Sequence, residues 1–155
     1  MSSYPHQQSR KIPSHLEPRL VFSEISTKDS KEKMQMSTSQ MKIINFKDVE
    51  VGEVKEPGAQ GITIRWLISQ KDGAPNFAMR IFEVEPSGFT PYHKHSWEHE
   101  VFILEGKGIL VTEEKNFPLK KGDAVFVPPD ENHQFRNDSK EKFSFICLIP
   151  IEKRP

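Results

Sequence analysis

From about residue 62 onward, apolar and polar residues alternate in short runs rather than at helical spacing, and nearly every run ends at Gly, Pro or Asp. The pattern predicts strands over residues 62–69, 77–85, 99–104, 108–112, 124–127, 132–136 and 143–149. Between them lie Asp72-Gly73, Pro86-Ser87-Gly88, Glu105-Gly106 and Lys121-Gly122-Asp123. Many short strands bounded by turn residues predict a sandwich or barrel, with no helix of any length. The alternation also assigns faces. Over 77–85, Glu83 and Glu85 point one way, so Ala78, Arg80, Phe82 and Val84 share the other, which sets an arginine among apolar residues. In Ile64-Arg65-Trp66-Leu67-Ile68 the neighbours are apolar on both sides, and the direction of Arg65 cannot be read.

The first 40 residues differ. They are rich in Ser, Lys and Gln, carry Pro5, Pro13 and Pro18, and show one short apolar group at residues 20–22 with Ile25. Such a composition does not bury enough surface to offset its ordering entropy, and it predicts a disordered tail. At Met41 the character changes to Met-Lys-Ile-Ile-Asn-Phe, a candidate first strand. Residues 1–40 are thus expected to be a tail, or an extension upstream of a translation start at Met41, and residues 41–155 a single β-domain.

Composition narrows the partners. Lys+Arg and Asp+Glu both number 22, so no net field draws the chain to nucleic acid or an anionic membrane, and a small solute is the expected partner. Hydrophobic residues at 35 % suffice for one ordinary core. Cys147 is the only cysteine, which excludes an intrachain disulfide and a multi-thiolate zinc site and suits a reducing cytoplasm. The apolar runs at 101–104 and 145–149 are far shorter than the roughly 20 residues of a membrane-spanning helix. The first ten residues lack the apolar stretch of a signal peptide.

The histidines carry the candidate chemistry. His93 and His95 are two apart, so an extended segment projects both imidazoles from one side, and His99 follows across the Ser96-Trp97-Glu98 corner. His133 lies a strand away, where a returning strand would bring it across a barrel. One such histidine alone would be an ordinary surface or core residue. The set points to one divalent transition metal: imidazole suits Zn, Fe, Ni and Cu, and Mn is also compatible.

These residues resemble the two motifs of the cupin family. The first, G-x5-H-x-H-x3,4-E-x6-G, is similar to the stretch from Gly88 through His93, His95 and His99 to Gly106, with one residue fewer before the first histidine. The second, G-x5-P-x-G-x2-H-x3-N, is similar to Gly122 through Pro128 and His133 to Asn137, with Asp130 where glycine is usual. Fifteen residues separate the two, as in small microbial cupins. The resemblance implies an all-β, double-stranded β-helix (jelly-roll) barrel, a homodimer, and a metal held by His93, His95, His99 and His133.

At the position of the usual glutamate the spacing back from Gly106 falls on His99, whereas Glu100 fits the spacing forward from His95. Adjacent residues on a strand face opposite ways, so only one can reach the metal, and His99 is the expected ligand. An imidazole in place of a carboxylate leaves the ion its full charge and favours an anionic small molecule; Arg80 either points into the cavity and forks onto its carboxylate or sits at the barrel mouth paired with a surface acid. Trp97, Phe82, Phe126 and Phe135 are expected to line or cover the cavity, Cys147 to be inert packing, Glu98 and Glu100 to be solvated, and Trp66 to anchor a dimer interface. Cupins share a barrel while performing dioxygenation, decarboxylation, isomerisation or lyase chemistry, or binding a ligand without turnover, so the resemblance implies metal-assisted chemistry on a small carboxylate or enol, with a binding or sensing module as the alternative.

Overall fold

The computed structural model describes residues 41–151; the segment read as a tail lies outside the described residues. Nine strands form the fold: β1 (Gly52–Glu53), β2 (Gln60–Ile68), β3 (Phe77–Phe89), β4 (His99–Glu105), β5 (Lys107–Thr112), β6 (Asn116–Lys120), β7 (Ala124–Val127), β8 (His133–Arg136) and β9 (Phe143–Pro150). They hydrogen-bond in the order β6-β5-β8-β3-β9-β4-β7, with β2 joining β3 to β1, and every pairing is antiparallel. The sheet curls into a jelly-roll barrel. Its closure interleaves distant segments, which is why β3 pairs with both β8 and β9.

Strict alternation on β4 shows how sequence sets the faces: His99, Val101 and Ile103 are buried while Glu100 and Phe102 are exposed. Inside, Val84, Ile103, Phe143 and Phe145 are 0–1 % exposed and form the centre of the core. Phe145 stacks on Phe82 and its ring centroid lies 4.7 Å from that of Phe135, a packing of aromatic faces in the core and against it.

Asn137 is the fully buried polar residue of this core. Its Nδ2 donates to the carbonyls of Val84 and Glu141 at 2.8 Å, and its Oδ1 accepts from Ser139, so every polar atom is satisfied and the β8–β9 turn is fixed. At Gly106, φ is 76°, and a Cβ there would lie 2.2 Å from the carbonyl oxygen of Lys142. Asp130 takes φ 63°, which explains why glycine is usual at this position; aspartate is among the residues that tolerate it.

Two expectations are corrected. Residues 41–46 form no strand: Met41 and Ile43 are each 90 % exposed, no described strand pairs with them, and Asn45 instead caps a 3-10 turn over Phe46–Asp48. Pro86-Ser87-Gly88 does not end a strand, because β3 continues to Phe89 through an irregularity in its register with β2. Ser87 there has φ 64°, and Gly88 approaches the Gly61 carbonyl so closely that a Cβ would sit 2.7 Å from it. β6 is an addition to the expected strands; its Pro118 is tolerated because β6 is the last strand of the hydrogen-bonded order.

Candidate metal centre

The four histidines reach one point from three parts of the chain. His93 sits in an isolated bridge with His133 at the start of β8, each backbone N–H donating to the other's carbonyl. His95 is held by its own carbonyl, which accepts the Asp130 N–H at 2.8 Å. His99 opens β4 with its side chain turned inward. One nitrogen from each ring lies within 4.8 Å of all the others, and the rings meet nearly edge to face.

Hydrogen bonds decide which nitrogens face inward. The Nδ1–H of His95 donates to the Trp97 carbonyl at 2.6 Å and that of His133 to the Glu131 carbonyl at 2.8 Å, so both rings turn Nε2 toward the centre. The Trp97 indole stacks flat on His95 with centroids 4.2 Å apart, restricting that ring further. Nε2 of His95 and Nε2 of His99 are 2.8 Å apart. Two donors each about 2.0–2.1 Å from a common ion and at right angles would lie about 2.9 Å apart, so the donor set fits a first-row divalent metal.

Electrostatics keep the site ready for a cation. Burial first, and then the closeness of the other imidazoles and of the Arg80 guanidinium, pushes His99 down to about 2, and burial also lowers His93 and His133. The lone pairs that a metal needs from His93, His99 and His133 are therefore free at neutral pH.

Around the histidines lies a cavity of about 190 Å³. Phe82, Trp97 and Phe135 line it, as does Arg80. The Arg80 guanidinium sits 5.3 Å from the Trp66 ring and 5.0 Å from the Phe82 ring, and its Nη2 donates to Cys147 Sγ at 3.0 Å. No carboxylate among the described residues pairs with it. Arg65 faces the other way and pairs with Glu83 outside the cavity.

Phe126 is a further correction. It is 63 % exposed and opposite Glu100 on the outer face, because the inward positions of β7 are Val125 and Val127, not Phe126. Trp66, half exposed, forms part of the cavity wall over Arg80. Two residues were not singled out from the sequence as functional. Glu56, in the Glu56-Pro57-Gly58 turn before β2, is the carboxylate that lines the cavity mouth beside His93. Cys147 contacts both His99 and Arg80. A turn glutamate carries no periodic signal, and a strand cysteine looks like any small apolar residue, so only the folded arrangement brings these out.

The cupin domain family matches residues 80–149. Among solved structures, the polyketide cyclase RemF from Streptomyces resistomycificus superposes with a TM-score of 0.70 at 39 % identity, covering 75 % of this chain and 83 % of that one. Among curated relatives, the 1-methylthio-D-xylulose 5-phosphate methylsulfurylase of Rhodospirillum rubrum is 32 % identical over 75 residues, 48 % of this chain and 48 % of that protein. The oxalate-binding protein of Thermotoga maritima is 31 % identical over 68 residues, 43 % of this chain and 56 % of that protein. The chain thus spans about half the length of the curated relatives it matches. With this likeness over the barrel and its two histidine motifs, the chain belongs to the cupin family.

Proposed function

We propose that this protein is a metal-binding cupin in which His93, His95, His99 and His133 hold one divalent transition ion, and that it acts on a small carboxylate or enol-type molecule. The reaction would be of dioxygenase, decarboxylase, lyase or isomerase type. The observation that carries the reading is Arg80, a guanidinium without a carboxylate partner among the described residues, in the wall of the cavity where four imidazoles converge. Neutral ligands leave the ion its full charge, and Arg80 adds a second positive group within a small, largely apolar space, so an anion is stabilised there more than a neutral molecule.

When bound, the metal would supply Lewis-acid polarisation of a substrate oxygen. The chain's own residues do the rest. Arg80 orients the far end of the anion by paired charge-assisted hydrogen bonds. Phe82, Trp97 and Phe135 exclude water. Glu56 at the mouth is the group placed to take or give a proton. Manganese, iron, nickel and zinc all suit the donor set. The names of the relatives agree with the ligand class: one is an oxalate-binding protein, another a polyketide cyclase.

A non-catalytic binding or sensing module is the second reading, favoured by the exposed position of Glu56, which leaves the cavity without a buried carboxylate among the described residues. The experiment that separates the two is to offer the metal-loaded protein a panel of small acids and enols while following oxygen consumption and carbon dioxide release. Turnover that falls in Glu56→Gln while binding is retained supports the enzyme. Binding without turnover supports the sensor, and neither binding nor turnover rejects both.

We further propose that the protein works in the cytoplasm, where a lone thiol stays reduced, and as a homodimer to which the half-exposed Trp66 contributes. Sedimentation at micromolar concentration giving a monomer would contradict the dimer.

A further inference from the structure

Cys147 lies on β9 with its sulfur between two functional groups: His99 Nδ1 at 3.3 Å and Arg80 Nη2 at 3.0 Å. A third neighbour, the Leu148 carbonyl, is 3.8 Å away. The thiol is 2 % exposed, so these contacts are the whole of its polar surroundings among the described residues. They become informative when the protons are placed.

A carbonyl can only accept, so His95 must carry its proton on Nδ1, where it donates to the Trp97 carbonyl, and as a neutral ring it presents a bare lone pair at Nε2. That lone pair faces His99 Nε2 at 2.8 Å. Two bare lone pairs at this separation repel, so the contact requires either a proton on His99 Nε2 or a cation held by both nitrogens. With the proton on Nε2, His99 Nδ1 is an acceptor, and the Cys147 S–H is the donor within reach. With a cation held by both, the proton of His99 is on Nδ1, and Cys147 Sγ becomes the acceptor while its hydrogen turns toward Leu148. The Arg80 N–H donates to the sulfur in either arrangement.

We propose that Cys147 is the positioning residue of His99, a partner that donates to Nδ1 in one tautomer and accepts from it in the other, so that His99 can turn a lone pair to a metal without leaving a buried group unsatisfied. The inference rests on the reading of the four histidines as a metal site. The balance is simple: one proton leaves Nε2, one arrives at Nδ1, imidazole and thiol both stay neutral, and no co-reactant is needed. The His95 and His133 rings have carbonyl partners at Nδ1 and are locked in one tautomer; His99, with a partner that is both donor and acceptor, is not. The same sulfur also receives Arg80, so one side chain holds both the ligand and the proposed anion-binding group in place.

The test uses the full chain with 15N-labelled histidine and long-range 15N–1H correlation. After treatment with a chelator, His99 is expected to carry its proton on Nε2; with zinc added, on Nδ1; His95 and His133 should show Nδ1–H throughout. Cys147→Ser, whose hydroxyl both donates and accepts, should keep zinc affinity within a few-fold, whereas Cys147→Ala should weaken it by about 10–100-fold, the usual effect of removing a ligand's hydrogen-bond partner. His99 with Nδ1–H in the chelator-treated wild type, or zinc binding in Cys147→Ala equal to wild type, would overturn the proposal. If Cys147→Ala does not fold, the wild-type tautomers and the serine variant still decide. A wild type that takes up no metal would sink the metal reading instead, and the thiol's donor role would then stand or fall on whether the His99 Nδ1 resonance moves in Cys147→Ala but not in Cys147→Ser.

Discussion

His99 and Glu100 are neighbours on β4 and end on opposite faces of the sheet: the imidazole is 8 % exposed and turned to the other histidines, while the carboxylate is exposed opposite Phe126 and Leu148. Only the first is placed to bind an ion. His99→Ala is expected to lower metal content sharply and Glu100→Ala to leave it unchanged, as measured by elemental analysis of proteins purified in parallel. The reverse pattern would move the ligand to Glu100.

Arg80 gives a second prediction. A guanidinium fixed between Trp66 and Phe82 presents a planar fork, which an ammonium cannot reproduce. Arg80→Lys should weaken dicarboxylate binding by about 1–3 kcal/mol at unchanged metal content. Calorimetry at equal metal loading checks it, and equal affinities would remove Arg80 from the anion site.

The buried histidines make stability depend on pH in a definite direction. In the folded chain burial depresses His93, His133 and, to about 2, His99, from an ordinary value of 6.5. Below 6.5 the unfolded chain therefore binds more protons than the folded one, and stability is full above that pH and lost as pH falls toward the folded values. His99 alone should contribute a slope of about 1.4 kcal/mol per pH unit over this window. Urea unfolding in excess chelator between pH 7.5 and 5 should show the decline; constant stability would contradict it.

Gly106 closes the β4–β5 turn at φ 76° against the Lys142 carbonyl. Gly106→Ala adds both a strained backbone and a clash, and it should destabilise by more than about 1 kcal/mol in thermal or denaturant unfolding. A variant as stable as wild type would show that this turn relaxes freely.

How much of this was legible in the sequence depended on whether a feature was local. The period-2 pattern around Glu83 and Glu85 put Arg80 on the inner face of its strand, and the spacing of His93 and His95 put two imidazoles on one side of the chain with His99 across the next corner, because both signals lie within a few residues. Phe126 was misplaced since Val125-Phe126-Val127 is apolar throughout, and only pairing with β4 shows which residues face in. The apolar run at 41–46 looked like a strand, but hydrophobicity does not supply a pairing partner. β6 has no place among the expected strands, and that Pro118 is tolerated in it depends on an edge position, a property of the whole sheet. Cys147 reaches the cavity through the register of β9 with β3 and β4, and Glu56 through the turn that leads into β2.

The most direct test of the central claim is the metal stoichiometry of freshly purified protein, by elemental mass spectrometry alongside native mass spectrometry. Four convergent imidazoles predict one divalent transition ion per chain, lost on substitution of any of His93, His95, His99 or His133 by Ala. A wild-type protein that carries no such ion and takes up neither manganese, iron, nickel nor zinc when these are supplied would contradict it.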